Sequence, residues 1–349
     1  MLRALYDSLP KEAKNQYLVN KAVNNVDISD EGAEVTCEDG SSYSGAIVIG
    51  ADGVHSKTRL VMKGLVPEAV KASWTPETLE LSPQSTGPLD NAFPATYKCL
   101  WGSLDRETET GESYEVQGHN RSAMYLTGKD KAWIFLYEKL PQPTTQRAVY
   151  DKADATAFAE SFSHWRVHEK LTIGDIISRP SFASGLNDLQ EGTLQEKSSG
   201  GRIVLVGDAC HRFTPNAGLG FNNAVQDIVS LSNRLYALLQ KTDSPDSNSL
   251  ETLFQDYQNE RREPLKGDFS VAAKSTRQQA WASWSDYFAA RWVFSFGFVK
   301  DYVTDKWIAG GIKAGRVLSF IDAPELLHGK VPWDHPLKTP SEAPGQKKA

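Results

Sequence analysis

The chain opens on apolar positions at helical spacing, Leu2, Leu5, Tyr6 and Leu9, and Pro10 closes the run. Apolar residues three and four apart share one helix face, so this stretch reads as a helix from the inside of a domain. Residues 15–49 switch to short β-type runs separated by Asp30-Glu31-Gly32 and Glu38-Asp39-Gly40, which serve as hairpin punctuation. The last run, Ala46-Ile47-Val48-Ile49, is apolar throughout and enters Gly50-Ala51-Asp52-Gly53, with a helix expected from Ser56 to Met62. A short strand apolar on both faces, feeding a glycine-rich turn and then a helix, is the pattern of a buried parallel strand.

Beyond residue 76 the text is first broken by Pro and Ser and then alternates, as in Ala95-Thr96-Tyr97-Lys98-Cys99-Leu100-Trp101, Ser122 to Leu126 and Ala132 to Tyr137. These aromatic, β-prone runs predict a second sheet. Helices are expected over about 150–170 and near Ile173 to Ile177. A second buried strand, Arg202 to Val206, then ends in Gly207-Asp208, and a long helix should run from about Asn222 to Leu239. The remainder reads as helical to about residue 325, with Phe254, Tyr257 and Arg261 on one face and an aromatic stretch from Trp281 to Phe296. The tail from Pro332 is rich in Pro and Lys and is expected to be disordered. The resulting organisation is α/β. Residues 1–75 and 192–270 form one discontinuous domain, 76–191 an inserted β-rich domain, 271–330 C-terminal helices and 331–349 the tail.

Composition narrows the function classes. The 349 residues exceed the ~250–300 at which a single core stops growing, which agrees with more than one domain. A net charge of −6 argues against a nucleic-acid binder, which needs a basic face to displace counterions. Cys37, Cys99 and Cys210 are too few and too scattered for a disulfide framework or a CxxC metal site, so a reducing compartment is expected. The first residues lack the apolar core of a signal peptide. No run reaches the ~18–20 apolar residues of a membrane span. Trp292 to Val299 comes nearest, bounded by Arg291 and Lys300. Its amphipathic pattern favours helix packing over peripheral contact with a membrane, so the expected location is cytoplasmic or peripherally membrane-associated.

Two loops carry candidate chemistry. In the segment 201–235 a buried strand delivers Asp208 to its carboxyl end, where open α/β sheets place ligands, and a carboxylate there accepts hydrogen bonds from a polyol or ribityl chain. Pro215 stiffens the loop that follows. Gly218-Leu219-Gly220, with Phe221 and Asn222, opens the next helix and lets backbone amides approach a ligand. The spacing GD-x6-PNxGxG-x-N is far more specific than its bare glycines. The second loop, Gly50 to Arg59, again puts a glycine-flanked acid, Asp52 before Gly53, at a strand end, with Ser56 placed to cap a helix that carries Arg59.

Gly50 to Arg59 resembles the DG motif, and Gly207 to Asn222 the GD motif, of flavoprotein monooxygenases of the para-hydroxybenzoate hydroxylase fold. Within that family the chain is most similar to fungal FAD-dependent monooxygenases and epoxidases of indole-diterpene and meroterpenoid pathways. That likeness lies in Tyr97 to Gly102, Glu191-Gly192, His211 to Asn216 and Phe254 to Gln258 with Arg261. The resemblance implies a three-layer, Rossmann-like FAD domain with an inserted substrate domain, FAD reduced by NADPH, and transfer of one oxygen atom from O2 to an apolar secondary-metabolite intermediate such as a prenylated aromatic or a terpenoid. It implies that Asp208 holds the ribityl chain, that the amides around Gly218 to Phe221 face the pyrimidine edge of the flavin, that Asp52 and Arg59 help hold the pyrophosphate region, and that Pro215, Leu219, Gly220, Asn222 and Gly53 belong to the same cofactor-binding set. Phe221 departs from the small residue usual beside the flavin ring. The chain contains no GxGxxG, and Met1 to Tyr6 resembles the helix that follows that unit, so the first βαβ unit of such a domain is expected to be missing. The alternative is a silent or non-redox relative without tight FAD binding.

Other reactive residues read more simply. His211 and His55 read as loop residues held by hydrogen bonds. His164 and His168 fall on one face of the expected helix but lack the carboxylate of an HExxH site, so no metal is expected. Tyr97 and Tyr137 read as sheet core, and Cys210 as a small packed residue.

Overall fold

The computed structural model describes residues 2–65, 93–146, 148–325 and 331–337. Its first helices, α1 (Leu2–Ser8) and α2 (Lys11–Gln16), bury no residue, and Leu2 is 80% exposed. The expected domain-interior helix is therefore on the surface of this chain. Strands β1 (Val23–Ile28), β2 (Ala33–Cys37) and β3 (Ser42–Gly45) form an antiparallel meander whose turns fall at the two predicted hairpins.

Strand β4 (Val48–Gly50) leads to α3 (Lys57–Leu65). The inserted layer follows, with strands β5 (Ala95–Asp105), β6 (Ser113–Gly118), β7 (Arg121–Thr127) and β8 (Lys131–Thr144), helix α4 (Lys152–Glu160), the short hairpin β9 (Arg166–His168) and β10 (Leu171–Thr172), helix α5 (Ile173–Ile177) and strand β11 (Ala183–Gln190). These build an antiparallel sheet in the order β11-β5-β8-β7-β6. Alternation divides its side chains. Leu100, Leu104, Tyr125, Ile134 and Leu136 form a core with Phe158, Phe162, Ile173 and Ile176 of the α4–α5 region. The other face carries Tyr97, Cys99, Trp101, Phe135 and Tyr137. The expected helix over 150–170 stops at Glu160, and His164 and His168 lie in a turn and on β9, which removes their shared helical face.

The chain then returns to the first sheet through β12 (Gly192–Thr193), β13 (Ser198–Ser199) and β14 (Ile203–Leu205). β14 pairs with β4 in parallel, Ile203 opposite Val48 and Leu205 opposite Gly50. Ile203 and Leu205 pack toward Val26, Met62 and Ala209, whereas Val204 and Val206 pack toward Leu231, Leu253, Phe254 and Tyr257. β14 is thus the strand buried on both faces. β4 is not: in the order β13-β14-β4 it is an edge, and Ile49 is 46% exposed, which corrects the expectation of burial there.

After β15 (His211–Arg212), α6 (Leu219–Leu239) and α7 (Ser247–Gln279) pack together over β14. The helices beyond them, α8 (Trp284–Phe288), α9 (Gly297–Val303) and α10 (Ala309–Lys313), are short and joined by π-helical turns. Their aromatic residues do not form a packed core among the described residues: Trp292 is 58% and Phe298 72% exposed. No helix of the described residues is long and apolar enough to cross a membrane. Within the expected disordered tail, Asp334 is bonded to Lys313 through both backbone and side chain. Residues 338–349 and the 75/76 domain boundary lie outside the described residues.

Candidate functional site

The parallel pair β4 and β14 brings the two motif loops side by side at its carboxyl end, as their separate strand-to-turn patterns require. In the first loop the Asp52 carboxylate accepts from Ser56 Oγ at 2.5 Å, from Thr58 N at 2.9 Å and from Thr58 Oγ1 at 3.0 Å, so it caps α3. Arg59 is 2% exposed and donates from Nη1 to Ala209 O at 2.7 Å and from Nη2 to Val54 O at 3.0 Å. It is a staple between the loops. Both side chains thus brace the turn on which they are expected to help hold a pyrophosphate, and Gly53, at φ +75°, shapes it.

In the second loop Gly207 has φ +61°, a left-handed conformation that favours glycine, and a Cβ there would meet Ala224 at 3.2 Å. Its N–H donates to Asp227 Oδ2 at 2.9 Å. The next residue, Asp208, is exposed, and its carboxylate has no hydrogen-bond partner among the described residues. Pro215 opens a single 3-10 turn that ends on Gly218 at φ +66°, the residue that starts α6. The helix begins three positions before the expected Asn222, so Leu219, Gly220 and Phe221 form its first turn, where amides lack intrahelical acceptors. Nothing lies within 4 Å of a Cβ built on Gly218 or Gly220, and Phe221 is 47% exposed. Asn222 Nδ2 turns back to Gly218 O at 3.3 Å. The structure thus brings an exposed carboxylate and an open helix start onto neighbouring turns.

Behind this surface is a buried network that motif reading did not reach beyond His211 and Arg261. Asp227 and His211 are both 0% exposed, with His211 Nε2 2.6 Å from Asp227 Oδ2. Arg261 Nε donates to Asp227 Oδ1 at 2.8 Å, and Arg261 Nη2 to Asn223 Oδ1 at 2.7 Å. Burial pushes the Asp227 carboxyl up, but the hydrogen bond and charge of His211, with Lys197 and Arg261, outweigh it and hold Asp227 well below the ordinary range. Cys210, His211 and Asp227 could in principle converge on a metal ion. Their chemistry argues against it: Arg261 already neutralises Asp227, and burial pushes the Cys210 thiol up to about 12.

Helix α7 ties the loop to the inserted sheet. The Thr276 hydroxyl lies 2.7 Å from that of Thr214 and 2.8 Å from Asn216 Oδ1, while Gln279 Nε2 donates to Glu115 at 3.0 Å and Trp281 Nε1 to Gln117 at 3.1 Å. On the sheet face that carries Tyr97 and Tyr137, both tyrosines are buried as expected, whereas Trp101 is 49% exposed. Gly185 makes room for that indole, since a Cβ there would meet Trp101 Cζ2 at 2.7 Å.

Residues 188–266, the stretch from the end of β11 through the GD loop to the middle of α7, match the family described as FAD binding domain. The chain is 38% identical over 213 residues to the FAD-dependent monooxygenase SAT1 of Stachybotrys chartarum, an alignment covering 60% of this chain and 69% of that one. It is 32% identical to the FAD-dependent monooxygenase ausM of Penicillium brasilianum, over 76% of this chain and 54% of that one. The fold matches that of Klebsiella pneumoniae HpxO complexed with FAD and uric acid, with a TM-score of 0.61 and 18% identity over 88% of this chain and 69% of that one. The chain belongs to the FAD-dependent monooxygenase family. It spans little more than half the length of the second of these relatives.

Proposed function

We propose that this chain is the body of an FAD- and NADPH-dependent monooxygenase that inserts one oxygen atom, as hydroxyl or epoxide, into an apolar secondary-metabolite intermediate. The observation that carries the reading is Asp208: an exposed carboxylate that accepts no hydrogen bond from the described residues, close enough to the Arg212 guanidinium to feel its charge, on a turn held from behind by Asp227 and packed on the open start of α6. Those residues fit a flavin. Asp208 would accept hydrogen bonds from ribityl hydroxyls, and the amides of Leu219 and Gly220, at the positive end of a 21-residue helix, would favour negative charge on the ring. The space beside Gly218 and Gly220 leaves room for a ring edge, and Phe221 offers a flat apolar surface next to it.

When bound, the reduced flavin supplies the oxygen chemistry. The protein's part is to hold the turn rigid, through Asp227 and Arg59, and to position the substrate. Trp101 and Phe135, opposite each other on β5 and β8, supply an aromatic floor suited to an apolar substrate. No side chain of the site is given a proton-transfer role, since His211 is fully buried behind the loop.

The test is the visible absorption of the purified chain after incubation with FAD and gel filtration. Retained flavin bands that bleach with NADPH are expected, and Asp208→Ala should lose at least about tenfold in flavin affinity, as for a charge-assisted hydrogen bond. A protein that stays colourless, or an Asp208→Ala variant that retains flavin as the parent does, overturns the reading.

A further inference from the structure

A cavity of about 730 Å³ lies against a different face of α7 from the one that touches the GD loop. Ala272 and Thr276 serve the loop, whereas Lys266, Phe269, Ala273, Lys274 and Arg277 line the cavity. Its volume is within the range of about 300–1,000 Å³ common for small-molecule sites. At its floor Glu191, 4% exposed, accepts from Arg277 Nη2 at 2.7 Å and Nη1 at 3.2 Å, and also from Thr96 Oγ1. The charges of that pair offset each other within the protein. Of the other ionisable groups lining the cavity, Lys266 and Lys274 are exposed, with no ion-pair partner among the described residues. Besides Glu191 the lining holds one other acid, Asp286, whose carboxylate already accepts from Ser283 Oγ at 2.6 Å. Phe269, Ala273 and Pro143 make the walls apolar.

We infer that this cavity binds a small amphipathic carboxylate, one anionic headgroup on an apolar body. The two lysines, about two helical turns apart on one side of α7, form a cationic clamp for the anionic headgroup at the mouth. The apolar walls remove the body of the ligand from water. The floor pair gives the walls a fixed end, because Arg277 is held bidentately. Because Lys266 and Lys274 are exposed and touch neither motif loop, their replacement tests this cavity apart from the flavin site.

The test is isothermal titration calorimetry of the full chain with decanoate, decylamine and decanol, with and without added FAD. Decanoate should bind at least about tenfold more tightly than decylamine in both conditions. The double variant Lys266→Glu, Lys274→Glu should lose about tenfold in decanoate affinity while keeping the parent's binding of decanol. Ala273→Trp, which fills the wall, should abolish binding of both, and Lys241→Glu, in the turn beyond the far end of α6, should leave both unchanged. Circular dichroism establishes that each variant is folded. Decylamine binding as tightly as decanoate overturns the inference, as does parent-like decanoate binding by the charge-reversed or the cavity-filled variant.

Discussion

Asp227 shows how a residue outside every motif can govern one inside. Its carboxylate holds the Gly207 N–H, His211 and Arg261 together, and all of these groups are out of water. Removing one partner of a buried charged pair costs about 3–5 kcal/mol, so Asp227→Asn should lower stability by that order, measured by urea unfolding at pH 7. The folded-state titration of Asp227 is depressed. Its contribution is therefore present above the unfolded carboxyl value of about 3.9 and is lost as the pH falls through the folded one. The urea midpoint of the parent should decline below about pH 4, and that of Asp227→Asn should decline less steeply. An equal acid dependence in the two proteins would remove Asp227 as a source. Asp208 was legible in the sequence because strand, glycine and acid are adjacent. Asp227 and Arg261 were not legible as partners, because 34 positions separate them and only the packing of α6 on α7 joins them.

Elements follow the sequence where local chemistry and burial agree. The GD turn and α6 do so, with Gly218 in a left-handed conformation that begins the helix. A Cβ at Gly218 meets nothing, so Gly218→Ala should cost only the backbone term of about 1–2 kcal/mol. A Cβ at Gly50 would lie 2.6 Å from Leu205 Cδ2 and 2.8 Å from Thr58 Cγ2, between the parallel strand and the capped helix. Gly50→Ala should therefore cost about 2–3 kcal/mol by overpacking, and chemical denaturation of the two variants checks the order. Where local pattern and tertiary demand conflict, the pattern loses. The helical text of 150–170 ends at Glu160 because Phe162 turns fully into the core of the inserted layer, and the backbone from Trp165 is taken up by the β9–β10 hairpin. Periodicity alone carries no signal for that exchange.

Across the whole molecule, three hydrophobic clusters are packed among the described residues; two of them share β14, and long-range contacts that tie the parts together include Arg59 to Ala209 between the loops and α7 between the GD loop and the inserted sheet. On its surface Trp284, Trp292, Phe298 and Tyr302 are 77%, 58%, 72% and 61% exposed, the aromatic composition that partitions into a lipid interface. The chain should co-sediment with phosphatidylcholine vesicles, and Trp292→Asp with Phe298→Asp should reduce the bound fraction several-fold; binding unchanged in the double variant would exclude this surface. The sequence by itself determined the α/β class, the family, and the position of Asp208 and the glycines around it, because each depends on residues close together in the chain. Tertiary structure alone decided that Asp52 and Arg59 brace the two loops, that β4 is an edge, that Asp227 anchors the loop and that a cavity opens behind α7. Those properties depend on which distant groups share a dielectric and exclude water, and no local pattern records that.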